Sequence, residues 1–527
     1  MISDPPTTLV IYGFSCFGIV VVFTLILLIY FSRVKLPCSV FVLVWISWMT
    51  VGSVCFLVPM DLMGSKSQSS LNMIWNIVFW INFILNWIGI PLINGYYIKN
   101  GGFNWKEKWK ISLQSNFILF ITWFIIGFLS IIYLTLMDKW TWSRIQLWAM
   151  GANHLYGFVF LILCAGFGLI EFPRIVYNWA DLELQENQYY ISITHLYYQR
   201  ENIQEKRKNL LKIIEMLNQT FFSINIQNKH HPLSILNLLV LPWQLENQNP
   251  TTALYPILMD NIPQIITEIE ELKRNNNLIT INQKQWCKLH EYIQLVLDST
   301  VIIEQRWKNL ENQSIKNKTR RCYYYFYRGL FFLMILISIA IIVSELFISI
   351  DQRTISAFYW IIILKNNTLI GSQIFIFSLF VYFSLCCYYS IFQLQLSLID
   401  YIGYRCTHES ALLLNASLLL RICIPLAYNF ILLLNVADNT SSLQNFIGIM
   451  NDIPFLGGSF TNLFPFFIVL FTLLMCINRF RCAMWNLMSY NQNNNINHIH
   501  NNNNQFEIEI EEGKLFYKKY NMGKTEI

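Results

Sequence analysis

Charged residues are scarce in this sequence. Asp, Glu, Lys and Arg make up only 13% of its 527 residues, whereas 55% are hydrophobic. Because about a quarter of an average soluble protein is charged, the composition excludes an ordinary soluble globular domain. It predicts a protein that keeps much of its surface in a lipid bilayer.

The sequence also lacks the short motifs that carry common enzyme chemistry. It contains no HExxH zinc motif, no metal-spaced cluster of Cys and His, no G-x-x-x-x-G-K-[ST] phosphate loop and no G-x-S-x-G nucleophile elbow. Asp138 and His154 are isolated, so intramembrane paired-Asp or Ser–His chemistry has no candidates. We therefore predict a protein that is not an enzyme and has neither a cofactor nor a bound metal.

Long apolar runs take the place of those motifs. Nine of them are long enough, at about 17 to 25 residues, to cross a membrane as helices, and the strict alternation that a barrel needs is absent. The predicted fold class is all-α: a polytopic integral membrane protein with nine transmembrane helices. The runs are Thr8–Phe31, Leu36–Val58, Leu71–Ile93, Gln114–Leu136, Met150–Phe172, Gly329–Ile350, Leu369–Phe392, Ala411–Val436 and Ser459–Ile477.

Basic residues concentrate on alternate loops, and such loops face the cytosol. This pattern predicts an extracellular or lumenal N-terminus and a cytosolic C-terminus, in the plasma membrane or an endomembrane. The net charge of +6 then suits contact with anionic lipid rather than nucleic acid. Asn366 and Asn439 head outer N-x-S/T sequons and are candidate glycosylation sites. None of the twelve cysteines lies in an outer loop, so no structural disulfide is expected.

Between Arg174 and Arg328 the chain is polar and too hydrophilic to span a membrane. Apolar residues nevertheless recur there with the seven-residue spacing of a coiled coil. Two long helices paired antiparallel would return the chain to the membrane, although the same stripes also suit the buried face of a small helical domain. The stronger ladder comprises Trp286, Leu289, Ile293, Val296, Thr300, Ile303, Trp307 and Leu310, and the weaker one Leu196, Ile203, Leu210 and Leu217.

These patterns divide the chain into four parts. Residues 1–172 are predicted to form a membrane half with helices 1–5, residues 173–328 a cytosolic helical or coiled-coil insert, and residues 329–480 a membrane half with helices 6–9. Residues 481–527 are predicted to be a disordered cytosolic tail, because the tract "NQNNNINHIHNNNNQ" cannot bury a core. Protein partners are expected at the insert, and the oligomeric state stays open.

Arg421 is the deepest charge in the predicted spans, and an ionisable residue in a bilayer needs a partner or a wet cavity. Pro425 has no N–H, so it frees the Arg421 carbonyl and should kink the helix, while Tyr428 shares the helix face of Arg421. Glu345 is the expected carboxylate partner. With Asn86 of the third span these residues form a candidate intramembrane polar site, which either lines a ligand path or only holds helices together.

The stretch "GFGLIEFPRIVYNW" ends the fifth apolar run with charges on both sides of a proline. Glu171 and Arg174 are three residues apart, so they can pair along the helix exit on either side of Pro173. One interpretation is an ordinary interfacial pair at a helix end. The other is that the three residues form a sequence signature.

Five stretches, in order along both membrane halves, carry such signatures. They are "FLVPMDL", with Pro59 and Asp61; the Trp-rich "WNIVFWINFILNWIGIPLINGYYIKNGGFNWKEKWKISLQSN"; "GFGLIEFPR"; "IVSEL", with Glu345; and "LLLRICIPLAYNF", with Arg421, Pro425, Tyr428 and Asn429. Together they resemble the limb-region-1-like (LMBR-type) family of multipass membrane proteins, and within it the domain-containing protein 2 branch.

The resemblance implies a membrane protein that is not a known enzyme. Branches of the family are associated with lipocalin uptake, lysosomal vitamin B12 export and regulation of receptor signalling. The leading hypothesis is therefore a receptor-like or scaffold protein that regulates receptor signalling and binds partners through its cytosolic helical arm. The alternative is a transporter or transporter subunit whose small-molecule path runs near Arg421 and Glu345.

Overall fold

The computed structural model describes residues 6–33, 36–63, 68–98, 105–136, 142–222, 296, 298–299, 301–310, 321–349, 369–394, 401–434, 442–443, 458–488 and 508–518. These residues are helical apart from short turns and loops. Within them, the only extended pairing is an isolated bridge between Ser32 and Thr407. The all-α prediction is confirmed for this part of the chain.

The helices follow the predicted apolar runs closely. In chain order they are α1 (Pro6–Phe31), α2 (Cys38–Met63), α3 (Gln68–Ile84), a π-helical segment (Leu85–Gly89), α4 (Ile90–Ile98), α5 (Trp105–Leu136), α6 (Trp142–Asn178), α7 (Leu182–Phe222), α8 (301–310), α9 (Arg321–Ser349), α10 (Leu369–Gln393), α11 (Glu409–Leu434), α12 (Gly458–Cys476), α13 (Asn478–Met488) and α14 (508–518).

The number of membrane crossings is less sharply defined than the helix positions. Among the described residues, seven helices are long and apolar enough to cross a membrane by length and composition. An eighth is counted if Leu463–Cys476 and Asn478–Trp485, which meet at a bend of 99°, form one span. The described side chains of α1, Ser15–Phe31, make a shorter apolar helix. A total of nine crossings therefore stays a prediction.

Helix α11 lies at the centre of the membrane bundle. The apolar part of this helix is 94% buried by protein, compared with 6% for α5. Helices α2, α4, α6, α9 and α10 all pack against α11. Because lipid cannot reach most of α11, its polar groups must find partners on these neighbouring helices.

Helix α6 is the second central element, and its glycines bring other helices close. A Cβ atom added at Gly157 would collide with the backbone carbonyl of Arg421, and one added at Gly168 with the carbonyl of Cys386. Gly166 similarly faces Phe471 of α12. Small residues at helix contacts permit this approach in membranes, so the two glycines of "GFGLIEFPR" serve packing.

The third predicted span contains a widened turn. In the π-helical segment the N–H of Ile90 donates to the carbonyl of Leu85, which is an i to i+5 bond instead of the α-helical i to i+4 bond. Pro91 follows directly. Proline has no N–H to donate to the carbonyl four residues earlier, and in an α-helix its ring collides with that carbonyl. The wider turn accommodates the proline without ending the helix.

Two boundaries differ from the sequence prediction. Helix α6 does not end at Phe172 but continues through Pro173 to Asn178. The disorder predicted for residues 481–527 is wrong for residues 481–488, which continue α13, and for α14, residues 508–518. Ile510 in α14 is buried, because an apolar face follows the asparagine tract and packs on α7. The tract itself lies outside the described residues.

Helices α7 and α8 form most of the described part of the predicted insert. The side chain of Asp181 accepts hydrogen bonds from the N–H groups of Glu183 and Leu184 at 3.1 and 3.4 Å, which caps the start of α7. The phenol of Tyr189 donates to the carbonyl of Leu310 at 3.3 Å, so the start of α7 lies beside the end of α8. Of the predicted heptad residues, Leu196, Ile203, Val296 and Ile303 are buried. A complete coiled coil stays a prediction, since much of the insert lies outside the described residues.

Replacement of Gly168 by alanine tests the central packing of α6. We expect Gly168→Ala to lower the free energy of unfolding by about 1–3 kcal/mol, because the new methyl group must displace the α10 backbone. Gly127→Ala on α5 is the matched control, since its Cβ would meet nothing within 4 Å. Melting temperatures of the two variants in detergent measure the difference, and equal values would contradict the close contact.

Candidate functional site

Arg421 lies in a group of polar and aromatic side chains that we call the intramembrane cluster: Asn86, Trp87, Tyr156, Ser417 and Arg421. The guanidinium Nε donates to Asn86 Oδ1 at 3.0 Å, and the Ser417 hydroxyl donates to the same oxygen at 2.7 Å. The centres of the Trp87 and Tyr156 rings lie 5.3 and 4.6 Å from the guanidinium carbon. Three separate helical segments thus meet at one charge.

The π-helical segment supplies the amide of this cluster. Asn86 is fully buried and lies in the widened turn that precedes Pro91. One turn earlier, the amide of Asn82 donates to the carbonyl of Leu420 at 2.6 Å. The two asparagines therefore attach α3 and the π-helical segment to α11 through hydrogen bonds, as expected for polar residues between membrane helices.

Glu345 is not the partner of Arg421, which corrects the sequence prediction. The fully buried carboxylate of Glu345 accepts a hydrogen bond from the amide of Asn429 at 2.6 Å. Asn429 is eight residues beyond Arg421 on α11, which corresponds to about 12 Å along the helix axis. The offset between the two charges is thus not closed by helix tilt, and each charge has its own amide partner.

Tyr428 shares a helix face with Arg421 but contacts a different residue. Its ring packs edge-on against Phe158 at 6.0 Å. The phenol beside the guanidinium belongs to Tyr156, which lies on α6 and was missed in the sequence. The distance between Tyr156 and Arg421 depends on how α6 packs against α11. The spacing of residues within one helix does not show how two helices pack.

Asp61, in the stretch "FLVPMDL", binds backbone in a different part of the chain. Its carboxylate accepts hydrogen bonds from the N–H groups of Ser442 and Leu443 at 2.8 and 2.9 Å, and from the indole of Trp75 at 3.2 Å. A charged carboxylate makes a stronger hydrogen bond with a backbone N–H group than a neutral acceptor does. The residue therefore fixes the segment that follows α11.

Glu171 forms the local ion pair expected from its spacing and a second one that was not foreseen. Its buried Oε1 lies 3.4 Å from an Nη atom of Arg174 and 3.5 Å from Nε of Arg481. Arg481 is on α13, so the carboxylate joins the end of α6 to the helix after the 99° bend. Pro173 lies within α6 and does not end it.

A second polar group, which we call the clasp, connects the insert to the membrane helices. It consists of Arg33 after α1, Asp298, which is helical and lies three residues before the first residue of α8 as defined above, and His408 and Glu409 at the start of α11. Arg33 lies 3.1 Å from Asp298, and Nε2 of His408 lies 3.1 Å from Asp298 and 3.0 Å from Glu409. Two carboxylates therefore share one arginine and one histidine across three parts of the chain.

Helix α14 docks on α7 through both side chains and backbone. The Thr194 hydroxyl donates to the carbonyl of Glu509 at 2.9 Å, and the Tyr198 phenol donates to Glu512 at 3.0 Å. The rings of Tyr197 and Phe516 stack with centres 3.9 Å apart. The chain beyond the asparagine tract therefore returns to the insert.

His195 on α7 faces this docked helix. Its Nε2 lies 3.9 Å from Glu509. Burial, and to a smaller extent the charge of Arg306, lowers the pKa of His195. Burial, followed by the charge of Glu512, raises the pKa of Glu509.

Other predicted sites are not addressed by these contacts. The sequons at Asn366 and Asn439 lie outside the described residues. Within the described part of the chain, no group of three or more His, Cys, Asp and Glu side chains could hold a metal ion, and the ten cysteines whose side chains the structure describes are free.

Comparison with known proteins gives one family. The family model for "LMBR1-like membrane protein" matches residues 9–480. The chain is 22% identical to "LMBR1 domain-containing protein 2 homolog A" of Dictyostelium discoideum, over 89% of this chain and 73% of that protein. It is 23% identical to the human and chicken proteins named "G-protein coupled receptor-associated protein LMBRD2", over 79% of this chain and 65% of each relative. The chain thus spans slightly less than two thirds of those two proteins. No solved structure matches it.

Removal of the Asn86 amide tests the polar contacts of the cluster. Asn86→Ala takes the acceptor from Ser417 and Arg421 together, so we expect a loss of about 1–3 kcal/mol in unfolding free energy. Asn72→Ala is the matched control, because Asn72 is exposed on α3 and its loss should cost less than about 0.5 kcal/mol. Denaturant unfolding in detergent compares them, and two equal losses would show that the Asn86 contacts add nothing.

The docking of α14 should weaken in acid. A histidine whose folded-state pKa is lowered stabilises the docked state above its unfolded pKa of about 6.5 and loses that stabilisation as the pH falls. We expect the hydrogen-exchange protection of residues 508–518 to drop between about pH 7.5 and about pH 5.5.

His195→Gln should abolish that drop. Any remaining pH dependence should have the opposite sign, because the raised pKa of Glu509 favours docking as the pH falls. Protection that is unchanged in the parent protein, or that drops equally in His195→Gln, would assign the effect elsewhere.

Proposed function

Because this chain belongs to the LMBR1-like membrane protein family, we propose that it is a non-enzymatic multipass membrane protein that associates with a G-protein-coupled receptor and regulates its signalling. The partner class is taken from the names of the human and chicken relatives. The observation that carries the proposal is the clasp, because it couples the insert to two membrane helices. A partner that binds and moves the insert would therefore also move the ends of α1 and α11.

The contacts of the insert support a cytosolic location for it. The clasp joins the insert to the end of α1 and the start of α11, and α14 joins it to the C-terminal part of the chain. These parts must all lie on one side of the membrane. Arg33, Arg405 and Arg481 are on that side as well, and basic flanks favour the cytosol. An extracellular or lumenal N-terminus and a cytosolic C-terminus follow from the proposal.

The shape of the insert suits recruitment of a partner. Helix α7 has 41 residues and so extends for about 60 Å, well beyond what the membrane ends need for a connection. Its described surface is polar at Gln188, Glu201, Gln204 and Glu205, which are exposed. Such a surface offers hydrogen-bonding and charged groups to a soluble or membrane-bound partner.

The contacts of Arg421 and Glu345 give less support to the alternative function, that of a transporter. Arg421 and Glu345 do not face each other, and each is held by an amide of a different asparagine. A path defined by that pair has no shared surface in this arrangement.

Site-specific photocrosslinking in cells tests the proposal. A photoreactive amino acid is placed at Gln188 or Gln204 on the insert, and at Ile118 on the exposed face of α5 as the control. We expect crosslinks from the insert to be enriched in seven-helix receptors, as measured by mass spectrometry.

The clasp variant Asp298→Asn should reduce that crosslinking, because it removes the charge that Arg33 and His408 share. Receptor crosslinks from Ile118 alone would place the contact in the membrane. Absence of receptors from every position would overturn the proposed association.

A further inference from the structure

Helix α14 packs on a part of α7 that is rich in tyrosine. We call the four side chains Tyr189, Tyr190, Tyr197 and Tyr198 the tyrosine face. The ring of Phe516 stacks on Tyr197 with centres 3.9 Å apart and meets Tyr198 edge-on at 5.9 Å. The ring of Tyr517 meets Tyr189 and Tyr190 edge-on at 6.1 and 6.4 Å. Tyrosine is enriched at protein–protein interfaces, because its ring is apolar and its hydroxyl forms hydrogen bonds. The tyrosine face thus has the composition of a protein-binding surface.

The backbone of α14 also fits this surface closely. A Cβ atom added at Gly513 would collide with the backbone carbonyl of Tyr190, so only glycine permits this approach. The carboxylate of Glu512 accepts a hydrogen bond from the phenol of Tyr198 at 3.0 Å. The docking of α14 can therefore be weakened by a change at residue 513, which leaves every side chain of α7 in place.

Helix α14 is a cover that can be displaced. It has eleven described residues, and isolated helices shorter than about 12 to 15 residues are marginal in water. The helical form of α14 therefore depends on its contact with α7. Among its described residues only Ile510 and Gly513 are buried. Elements with few buried contacts open more readily than the core of a protein.

The surface under α14 continues along α7. Tyr190, Thr194, Tyr197, Glu201 and Gln204 follow one another at intervals of four, three, four and three residues, so they form one stripe on the helix. Helix α14 contacts the first three of them. Glu201 and Gln204 are exposed and belong to the surface proposed above to recruit a receptor. The recruiting surface and the surface under α14 are therefore continuous.

The exposed part of the stripe is acidic, since Glu201 and Glu205 both lie there. The cytosolic flanks of membrane helices carry an excess of Lys and Arg, so the cytosolic segments of a receptor have the complementary charge. A segment that pairs with these carboxylates and also carries an aromatic side chain would place that ring on the tyrosine face, where Phe516 lies in the docked state. The receptor segment and α14 would then compete for the same rings.

We infer that the stripe of α7 from Tyr190 to Glu205 binds a basic, aromatic cytosolic segment of the receptor, and that α14 is an autoinhibitory element that covers the first half of this stripe. The inference rests on the proposed receptor association and adds its regulation. Undocking of α14 exposes the tyrosine face and enlarges the surface that the receptor contacts. Docking of α14 restricts the receptor to the exposed acidic part.

Release of α14 by changes outside α7 tests the inference. Gly513→Ala places a methyl group against the Tyr190 carbonyl, and Phe516→Ala removes the ring that stacks on Tyr197. Each variant should lower the hydrogen-exchange protection of residues 508–518 in the purified full chain. In cells, receptor crosslinks from a photoreactive amino acid at Gln204 should rise about threefold to tenfold, because removal of an internal competitor raises the fraction of the protein that is competent to bind.

Leu515→Ala is the matched control, because Leu515 lies on the same helix and is 65% exposed. Its protection and its receptor crosslinks should equal those of the parent protein. The inference is overturned, and receptor association is left intact, if both release variants lose protection while their receptor crosslinks stay at the parent level. New crosslinks to a second copy of this chain in place of a receptor would also overturn it, as would unchanged protection in both variants. If no receptor is crosslinked in the parent protein or in either release variant, the association itself fails, and the inference with it.

Discussion

The burial of α11 by other helices is the constraint on which the rest of the membrane bundle depends. A helix in lipid can be entirely apolar, but α11 carries Ser417 and Asn429 in buried positions and Arg421 in a partly buried one. Each of these residues is bonded to a neighbouring helix, because an unpaired polar group in an apolar surround is costly. The same contacts that satisfy α11 therefore determine which helices lie beside it.

The burial of α11 constrains the backbone of the neighbouring helices as well as their side chains. The widened turn at Leu85–Gly89 accommodates Pro91 and presents Asn86 to α11. On the opposite side, Gly157 lets the α6 backbone approach the carbonyl of Arg421. A larger residue there would move α6, and with it Tyr156, away from the guanidinium. Close packing and the polar cluster are therefore one arrangement.

The membrane bundle and the insert are joined by charges rather than by apolar packing alone. Asp298 bridges Arg33 and His408, and Glu409 lies beside both basic groups. Helix α14 then covers part of α7 on the same side of the membrane. The insert contacts the end of α1, the start of α11 and the C-terminal part of the chain. Movement of one of these parts therefore displaces the insert and, through it, the other two. This coupling is the physical basis of the proposed link between a receptor and the membrane helices.

The sequence by itself determined the helical class, the positions of the apolar helices and the Glu171–Arg174 pair, because these depend on local composition and on spacing within one helix. It missed Tyr156 beside Arg421, Arg481 beside Glu171 and the helix at residues 508–518. It also paired Arg421 with Glu345, where charge alone suggested a partner. Only the tertiary structure decided those contacts, because they depend on the depth and rotation at which separate helices pack. A single sequence records no such relation between residues on separate helices that are far apart in the chain.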